Sequence, residues 1–224
     1  MRVAAVVPAA GKSSRMRGAD KIFSLVLGKP LFVWSLEAMH RCPCIDDVIL
    51  VVSADLVETA IYLCSEYGLS KVNRVVAGGD TRHDSVVAGL KCVSPDTHVV
   101  VVHDAARPLA SPGLFSSVVR TAFHDGAVVA AIPCKDTVKH VEGDTVVRTI
   151  SRSDLRLAQT PQAFRREFFN ILTQPGDVTD EAALVEAAGG RVKIIQGEDE
   201  NIKVTVPVDL VIVQTILLKR TGAE

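Results

Sequence analysis

A loop of small residues followed by cations is the first part of the sequence whose composition suggests chemistry. It reads Pro8-Ala9-Ala10-Gly11-Lys12-Ser13-Ser14-Arg15-Met16, and Lys21 follows closely. Small residues allow the backbone to approach a ligand, free amides can hold phosphate oxygens, and Arg15 and Lys21 add positive charge. The loop therefore predicts a phosphorylated ligand, although taken alone an ordinary glycine-containing turn has the same composition.

Two common nucleotide-binding motifs are absent from the sequence. Gly11-Lys12-Ser13 resembles the end of a G-x-x-x-x-G-K-[ST] loop, but the first glycine of that motif would fall on Val6. The G-x-G-x-x-G pattern of dinucleotide-binding proteins is missing as well. The sequence therefore excludes a phosphate loop of the first kind and gives no support to a dehydrogenase.

A second loop contains paired glycines and polar residues. It runs Ala77-Gly78-Gly79-Asp80-Thr81-Arg82-His83-Asp84-Ser85. Glycines here would let a flat base lie against the backbone, and the Ser85 hydroxyl could bond the edge of that base. Asp80 and Thr81 are also good residues to begin a helix. We expect a nucleotide contact, a helix start, or both.

A third loop places a carboxylate directly after an apolar run. His103-Asp104-Ala105-Ala106-Arg107-Pro108 follows Val99 to Val102. A carboxylate at the end of a buried strand is costly unless it meets a cation. Asp104 could hold hydrated magnesium beside a triphosphate, or it could form only a salt bridge with Arg107. Late in the chain, Lys203 could bring one more cation to the same place.

The elements around these loops alternate between strand and helix. Nearly continuous apolar runs predict strands over Arg2 to Val7, Val48 to Val52, Val72 to Val76, His98 to Val102 and Ala127 to Ile132. Helices are predicted over Pro30 to Arg41, Asp55 to Glu66, Thr81 to Val93 and Pro112 to His124. This order predicts an α/β fold with a mostly parallel, Rossmann-like sheet flanked by helices. Ligands of such sheets bind beyond the carboxyl ends of the strands, where all three loops fall.

The pattern changes to strict alternation between Asp136 and Ile150. Thr137 to Val141 and Thr145 to Thr149 predict a hairpin that turns at Glu142-Gly143-Asp144. We expect one domain over residues 1–224, with 134–157 as a projecting β-arm. Because nothing in the arm's own sequence covers both of its faces, we expect it to pair with a second copy in a homodimer.

The rest of the chain predicts four further elements. They are helices near Arg165 to Leu172, Thr179 to Ala188 and Val208 to Lys219, and a strand over Arg191 to Ile195.

Composition excludes several classes of protein. The 224 residues carry 25 Lys and Arg against 26 Asp and Glu, so the basic excess of a nucleic-acid binder is missing. No apolar run is long enough to span a bilayer. The five cysteines are an odd, scattered set without metal spacing, and the six histidines show no ligand spacing. We expect a cytoplasmic protein with reduced thiols.

Taken in order, the motifs resemble the 2-C-methyl-D-erythritol 4-phosphate cytidylyltransferase family. The resemblance covers about residues 3 to 215. Besides the three loops, it rests on Asp136-Thr137, Thr160-Pro161-Gln162, Thr179-Asp180-Glu181 and Asn201-Ile202-Lys203-Val204-Thr205. One departure is Ser13, where the family usually has a second glycine.

The resemblance implies a magnesium-dependent enzyme of non-mevalonate isoprenoid biosynthesis with CTP and 2-C-methyl-D-erythritol 4-phosphate as substrates. It implies phosphate contacts in the transition state from Arg15, Lys21 and Lys203. Nucleotide binding would involve Ala9, Ala10, Gly11, Gly79, Asp80, Ser85, Asp104 and Ala105, with Asp104 also facing magnesium. The methylerythritol phosphate pocket would contain Arg107, Thr137, Arg152, Thr160 and Thr179, with Thr137 and Arg152 supplied by the neighbouring subunit.

Two alternatives remain open from the residues. Ribitol 5-phosphate could replace methylerythritol phosphate as acceptor, since the CTP loops would look alike. A non-catalytic nucleotide-binding subunit would need the glycine loops but not the set of Arg15, Lys21, Asp104 and Lys203.

Overall fold

A seven-stranded sheet forms the centre of the protein in a computed structural model that describes residues 1–11, 21–176 and 178–222. The strands of the described chain, in sequence order β1 to β11, are Val3–Pro8, Leu25–Val26, Lys29–Pro30, Asp47–Val52, Val72–Ala77, Val99–Val102, Ala127–Pro133, Val138–Glu142, Thr145–Ile150, Arg156–Arg165 and Lys193–Gln196. The α-helices, α1 to α7, are Leu31–Arg41, Val57–Glu66, Arg82–Leu90, Pro112–Asp125, Phe169–Leu172, Ala182–Ala187 and Pro207–Thr221. Short 3-10 turns cover Ala54–Leu56, Arg152–Asp154 and Arg166–Phe168.

The sheet order is β11-β7-β10-β6-β1-β4-β5. Strands β1, β4, β5 and β6 are mutually parallel, so the predicted βαβ winding is confirmed. Their carboxyl ends therefore lie along one edge, and the three loops identified in the sequence follow β1, β5 and β6 at that edge.

The sequence reading missed β10, which lies between β6 and β7 and is antiparallel to both. The segment Arg156–Arg165 contains Pro161 and two glutamines and has no β-branched run, so its composition does not predict a strand. It nevertheless pairs in the middle of the sheet, and its register shifts between Ala158 and Gln162. The Thr160-Pro161 peptide bond is cis.

Alternate residues of the strands enter two apolar layers. In β1, Val3, Ala5 and Val7 join a cluster that includes residues of α1 and α4, while Ala4 and Val6 face a second cluster that includes α3 and α5. A strand buried on both faces must be apolar throughout, which explains the continuous runs. A third cluster joins α7 to the beginning of α1.

The predicted hairpin is confirmed as β8 and β9, which form a separate two-stranded sheet. Gly143 in its turn has φ +56°, a left-handed conformation that favours glycine. Val141, Val146 and Val147 on this arm are each at least half exposed.

Two absences concern the described residues only. No described helix is both long and apolar enough to cross a membrane. The five cysteines, all within the described ranges, form no disulfide.

Candidate active site

The loops after β1, β5 and β6 contact one another. The Ala9 amide donates to the Val51 carbonyl at 2.7 Å, and the Ala105 amide donates to the Pro8 carbonyl at 3.4 Å. Ser53 Oγ donates to the Ala10 carbonyl at 3.3 Å. These backbone contacts gather the small residues after β1 against the ends of the neighbouring strands.

Gly78 is required where the second loop meets the first. A Cβ at Gly78 would lie 2.5 Å from Ala10 Cβ and 2.6 Å from Ser85 Oγ. At Gly79 it would lie 2.4 Å from Asp84 Cβ. The paired glycines therefore allow close packing within the protein, a reason that the sequence alone did not supply.

The second loop also begins α3, as its composition predicted. Thr81 Oγ1 accepts from the Asp84 amide at 3.0 Å, and the Asp84 carboxylate accepts from the Thr81 amide at 3.1 Å. This reciprocal pair is a capping box, which fixes the first turn of the helix. Ser85 Oγ donates to the Thr81 carbonyl at 3.0 Å.

Asp104 is the centre of a cluster of cations. Its Oδ2 lies 2.8 Å from Lys203 Nζ, and its Oδ1 accepts from Arg82 Nε at 2.9 Å. Arg107 Nε is farther, at 3.8 Å from Oδ2. The salt bridge with Arg107 considered from the sequence is thus the weakest of three, and residues distant in the chain provide the stronger contacts.

The electrostatic state of Asp104 follows from these neighbours. Burial alone would raise the pKa of the carboxyl, but Arg82, Lys203 and Arg107 outweigh burial and hold the pKa well below its usual range. Burial also lowers the pKa of the adjacent His103 imidazole to about 4. At neutral pH, Asp104 is ionised and His103 is neutral.

A network of buried polar groups holds the backbone of this loop. Thr160 Oγ1 accepts from the Asp104 amide at 3.0 Å and lies 3.2 Å from His103 Nδ1. Asn201 Nδ2 donates to the Thr160 carbonyl at 2.8 Å, and Arg107 Nη1 donates to the Asn201 carbonyl at 2.7 Å. The loop after β6, strand β10 and the segment before α7 are thereby fixed to each other.

A cavity of about 200 Å³ opens beside this network. It is lined by Arg82, Asp104, Arg107, Ala158, Gln159, Thr160, Gln162, Thr179, Asp180 and Lys203. Cationic side chains next to hydroxyl and amide groups can bind a phosphorylated polyol, since the cations match phosphate and the neutral groups match hydroxyls.

The predicted site residues fall into four sets. Five of them line the cavity: Asp104, Arg107, Thr160, Thr179 and Lys203. Seven lie in the three contacting loops: Ala9, Ala10, Gly11, Gly79, Asp80, Ser85 and Ala105. Thr137 lies just before β8 and Arg152 just after β9, both exposed. Arg15 is outside the described residues, and Lys21 is considered next.

Lys21 lies near the beginning of α7. Burial raises the pKa of Asp209, but the amides of Val206 and Thr205, the Thr205 hydroxyl and the charge of Lys21 together lower it. Thr205 is two residues after Lys203, so Lys21 and Lys203 adjoin the same segment. The described residues lining the cavity do not include Lys21 itself.

Sequence reasoning missed two charged residues, Arg82 and Glu181. Arg82 lies within a loop already singled out, and its position in the first turn of α3 beside the paired glycines was a usable signal. Glu181 belongs to the Thr179-Asp180-Glu181 motif of the resemblance, but its residue type and its place before a helix indicate only a favourable helix terminus.

Asp104 is a carboxylate that lines the cavity among cationic and polar groups, so its oxygens could act as metal ligands. The described residues contain no group of three or more His, Cys, Asp or Glu side chains arranged to hold a metal ion. A metal at Asp104 would therefore need most of its ligands from substrate and water, which is common for magnesium.

Comparison with known sequences gives a consistent result. The family model for 2-C-methyl-D-erythritol 4-phosphate cytidylyltransferase matches residues 3–219. A protein of that name from Pelotomaculum thermopropionicum is 43% identical, covering 99% of this chain and 96% of its own. Another from Syntrophus aciditrophicus is 39% identical, covering 99% and 98%.

Solved structures resemble the fold over nearly the whole chain. The 4-diphosphocytidyl-2C-methyl-D-erythritol synthase of Anaerococcus prevotii superposes with a TM-score of 0.85 at 30% identity, covering 96% of both chains. The 2-C-methyl-D-erythritol 4-phosphate cytidylyltransferase of Thermus thermophilus gives 0.79 at 32% identity, covering 97% of this chain and 99% of its own.

Proposed function

Because this chain belongs to the 2-C-methyl-D-erythritol 4-phosphate cytidylyltransferase family, we propose that its Asp104 cavity and adjoining loops bind the two substrates of that reaction. The enzyme transfers the cytidylyl group of CTP to 2-C-methyl-D-erythritol 4-phosphate. The products are 4-diphosphocytidyl-2-C-methyl-D-erythritol and pyrophosphate, in non-mevalonate isoprenoid precursor biosynthesis.

The chemistry requires cations more than it requires a base. An oxygen of the acceptor phosphate attacks the α-phosphorus of CTP, and the bond to pyrophosphate breaks. The second pKa of a phosphate monoester is about 6, so the nucleophile is already mostly dianionic near neutral pH. The obstacle is repulsion between two anions, which positioned positive charges reduce. In-line displacement without a covalent enzyme intermediate fits this requirement.

The observation that carries the site assignment is the meeting of three cations from distant parts of the chain. Arg82, Arg107 and Lys203 all contact Asp104, and all four line one cavity. The acceptor phosphate binds there in our proposal, with Thr160 and Thr179 available to its hydroxyls.

The donor occupies the loops after β1 and β5. Ala9, Ala10 and Gly11 contact the nucleotide, and Gly79, Asp80, Ser85 and Ala105 complete this donor site. Arg15, Lys21 and Lys203 stabilise the charge that moves between the reacting phosphates. The close packing of the two loops at Gly78 supports this arrangement.

Magnesium is compatible with the residues present. Asp104 is ionised at neutral pH and offers hard oxygen ligands, while triphosphate and water would supply the others. When bound, the metal would neutralise phosphate charge. Asp104 would hold it, and Lys203 and Arg107 lie beside the same carboxylate, where they can also face the phosphates.

We further propose a cytoplasmic homodimer that forms through the β-arm. The half-exposed valines of the arm and the absence of a second layer over it within the described chain support a partner of the same kind. In that dimer, Thr137 and Arg152 complete the acceptor pocket of the neighbouring subunit.

A pyrophosphate-release assay tests the reaction and the acceptor together. Purified protein is incubated with CTP, magnesium and either 2-C-methyl-D-erythritol 4-phosphate or ribitol 5-phosphate. We expect release with the first acceptor and little with the second. Release with ribitol 5-phosphate alone would overturn the acceptor assignment, and release with neither would favour a non-catalytic nucleotide-binding protein.

A further inference from the structure

A carboxylate with no solvent-exposed surface, Glu181, lies behind the cavity and has no role in the reaction described above. Both of its oxygens accept from Arg82 Nη1, at 2.8 and 3.0 Å. A buried carboxylate is unfavourable unless a cation matches it closely. Glu181 therefore strongly restricts where the Arg82 guanidinium can lie.

Arg82 connects Glu181 to the centre of the site. While Nη1 is held by Glu181, Nε donates to Asp104 Oδ1 at 2.9 Å. The third nitrogen, Nη2, has no hydrogen-bond partner among the residues that the structure describes, and the side chain lines the cavity. The guanidinium thus presents one free edge where an anion can bind.

The three residues come from three separate parts of the fold. Arg82 is in the first turn of α3, Asp104 follows β6, and Glu181 precedes α6. A second contact joins the same regions, because His83 Nε2 lies 2.8 Å from the Gln174 carbonyl. The chain just after α5 is thereby attached to α3.

We propose that Arg82 is a further acceptor-binding residue, which contacts the phosphate monoester in the cavity, and that Glu181 is the positioning residue that holds it there. The inference rests on the proposed function for the identity of the anion. Without Glu181, two nitrogens of the Arg82 guanidinium are free to donate to both oxygens of Asp104. This two-bond pairing is the usual geometry between arginine and a carboxylate. Glu181 prevents that pairing and keeps the free edge directed at substrate.

A purely structural ion pair between α3 and the segment before α6 would have the same geometry. The two roles differ in what they change. A structural pair affects stability and lowers activity only through loss of folded protein, whereas a positioning pair changes the KM for the acceptor in protein that is fully folded.

The test is a double-mutant cycle with Glu181→Gln, Arg82→Met and the combined variant. At saturating CTP, we expect Glu181→Gln to raise the KM for the acceptor about tenfold or more, the effect of losing one charge-assisted contact. The KM for CTP should change less than about twofold. The combined variant should be no worse than Arg82→Met, since Glu181 acts only through Arg82.

Two further variants serve as controls. Glu167→Gln also removes a carboxylate that pairs with an arginine, Arg165, but it is exposed and outside the cavity. It should leave both KM values unchanged. Arg82→Lys retains the positive charge, but its single ammonium group cannot contact Glu181 and Asp104 as the guanidinium does. It should therefore raise the KM for the acceptor, and this measurement still tests the proposal if Glu181→Gln fails to fold.

Urea unfolding of every variant separates this inference from the proposed reaction, because it needs no substrate. If Glu181→Gln lowers stability but leaves the acceptor KM unchanged, Glu181 is merely structural and the inference is overturned. Additive effects on KM in the combined variant overturn it as well. If wild type uses ribitol 5-phosphate instead, the proposed acceptor fails while the cycle is still measurable with that phosphate monoester.

Discussion

At the scale of single residues, Lys203 is the most exposed of the three cations that contact Asp104. Its ammonium contacts Asp104 at 2.8 Å, yet 37% of the side chain remains exposed, compared with 12% for Arg107. A cation that is both positioned and accessible can move from the carboxylate to a phosphate without rearrangement of the backbone.

Replacement of Lys203 by Met removes the charge and keeps the length of the side chain. We expect kcat to fall on the order of a hundredfold, because a preorganised charge near the reacting phosphates is lost. The matched control is Lys135→Met, which breaks an exposed ion pair with Asp199. Steady-state pyrophosphate release measures both variants, and equal activity of the two would remove Lys203 from the catalytic set.

The neutral, buried His103 makes a prediction about stability and pH. Its native pKa is about 4, whereas an unfolded histidine titrates near 6.5. Between these values the unfolded state binds a proton that the native state does not, so stability falls as pH decreases, by up to about 1.4 kcal/mol per pH unit. Above about pH 6.5 this contribution is independent of pH.

Replacement of His103 by Gln should remove that dependence while a donor to the Arg107 carbonyl remains. The variant should be less stable at pH 7.5, but its stability should fall less steeply than that of wild type between pH 6.5 and 4.5. Urea unfolding at several pH values tests this. Parallel curves would show that His103 does not remain neutral in the native state.

At the scale of elements, the position of the donor site depends on close packing between the loops after β1 and β5. A methyl group at Gly78 would overlap Ala10 Cβ and Ser85 Oγ. The backbone of one loop would have to move, and both loops belong to the proposed donor site.

Gly78→Ala should therefore lower stability by about 1 to 3 kcal/mol and raise the KM for CTP on the order of tenfold. Gly113→Ala in α4 is the control, because its Cβ would meet only Ser111 Oγ at 3.5 Å and alanine favours a helix. Unfolding and initial-rate measurements decide the matter. An unchanged KM for CTP would mean that this junction does not shape the donor site.

The elements also show what the sequence could and could not predict. Apolar runs such as Val99 to Val102 identify buried parallel strands, because burial on both faces demands apolar residues throughout. Strand β10 could not be predicted in this way, because it has no continuous apolar run. Its place in the sheet depends on pairing with β6 and β7 and on polar contacts of Thr160 and Gln162. Such long-range pairing has no local signature.

The same distinction applies to the site. Asp104 and Lys203 could be predicted because their types and positions suit phosphate chemistry at the end of a strand or before a helix. The pair formed by Arg82 and Glu181 depends on contact across 99 residues of sequence, and nothing near Glu181 indicates its burial.

At the scale of the whole molecule, the arm formed by β8 and β9 is unpaired with the main sheet. An isolated two-stranded hairpin is only marginally stable in water, and this one exposes Val141, Val146 and Val147. In the single chain, Arg152 Nη1 donates to the Lys135 carbonyl, and Arg152 does not line the Asp104 cavity. These features motivate the proposal that the arm completes the site of a partner.

Mixing two inactive variants tests this sharing directly. If Arg152 serves the neighbouring subunit, a dimer of one Arg152→Met chain and one Lys203→Met chain contains one site with both defects and one intact site. Random exchange of subunits should then restore about a quarter of the wild-type activity, since half the dimers are mixed. Asp104→Asn mixed with Lys203→Met is the control, because both changes lie in the same subunit's cavity and every site stays defective. If sedimentation shows mixed dimers but the first mixture stays as inactive as the control, Arg152 does not act across the interface. Full activity of a monomeric wild type would exclude a shared pocket altogether.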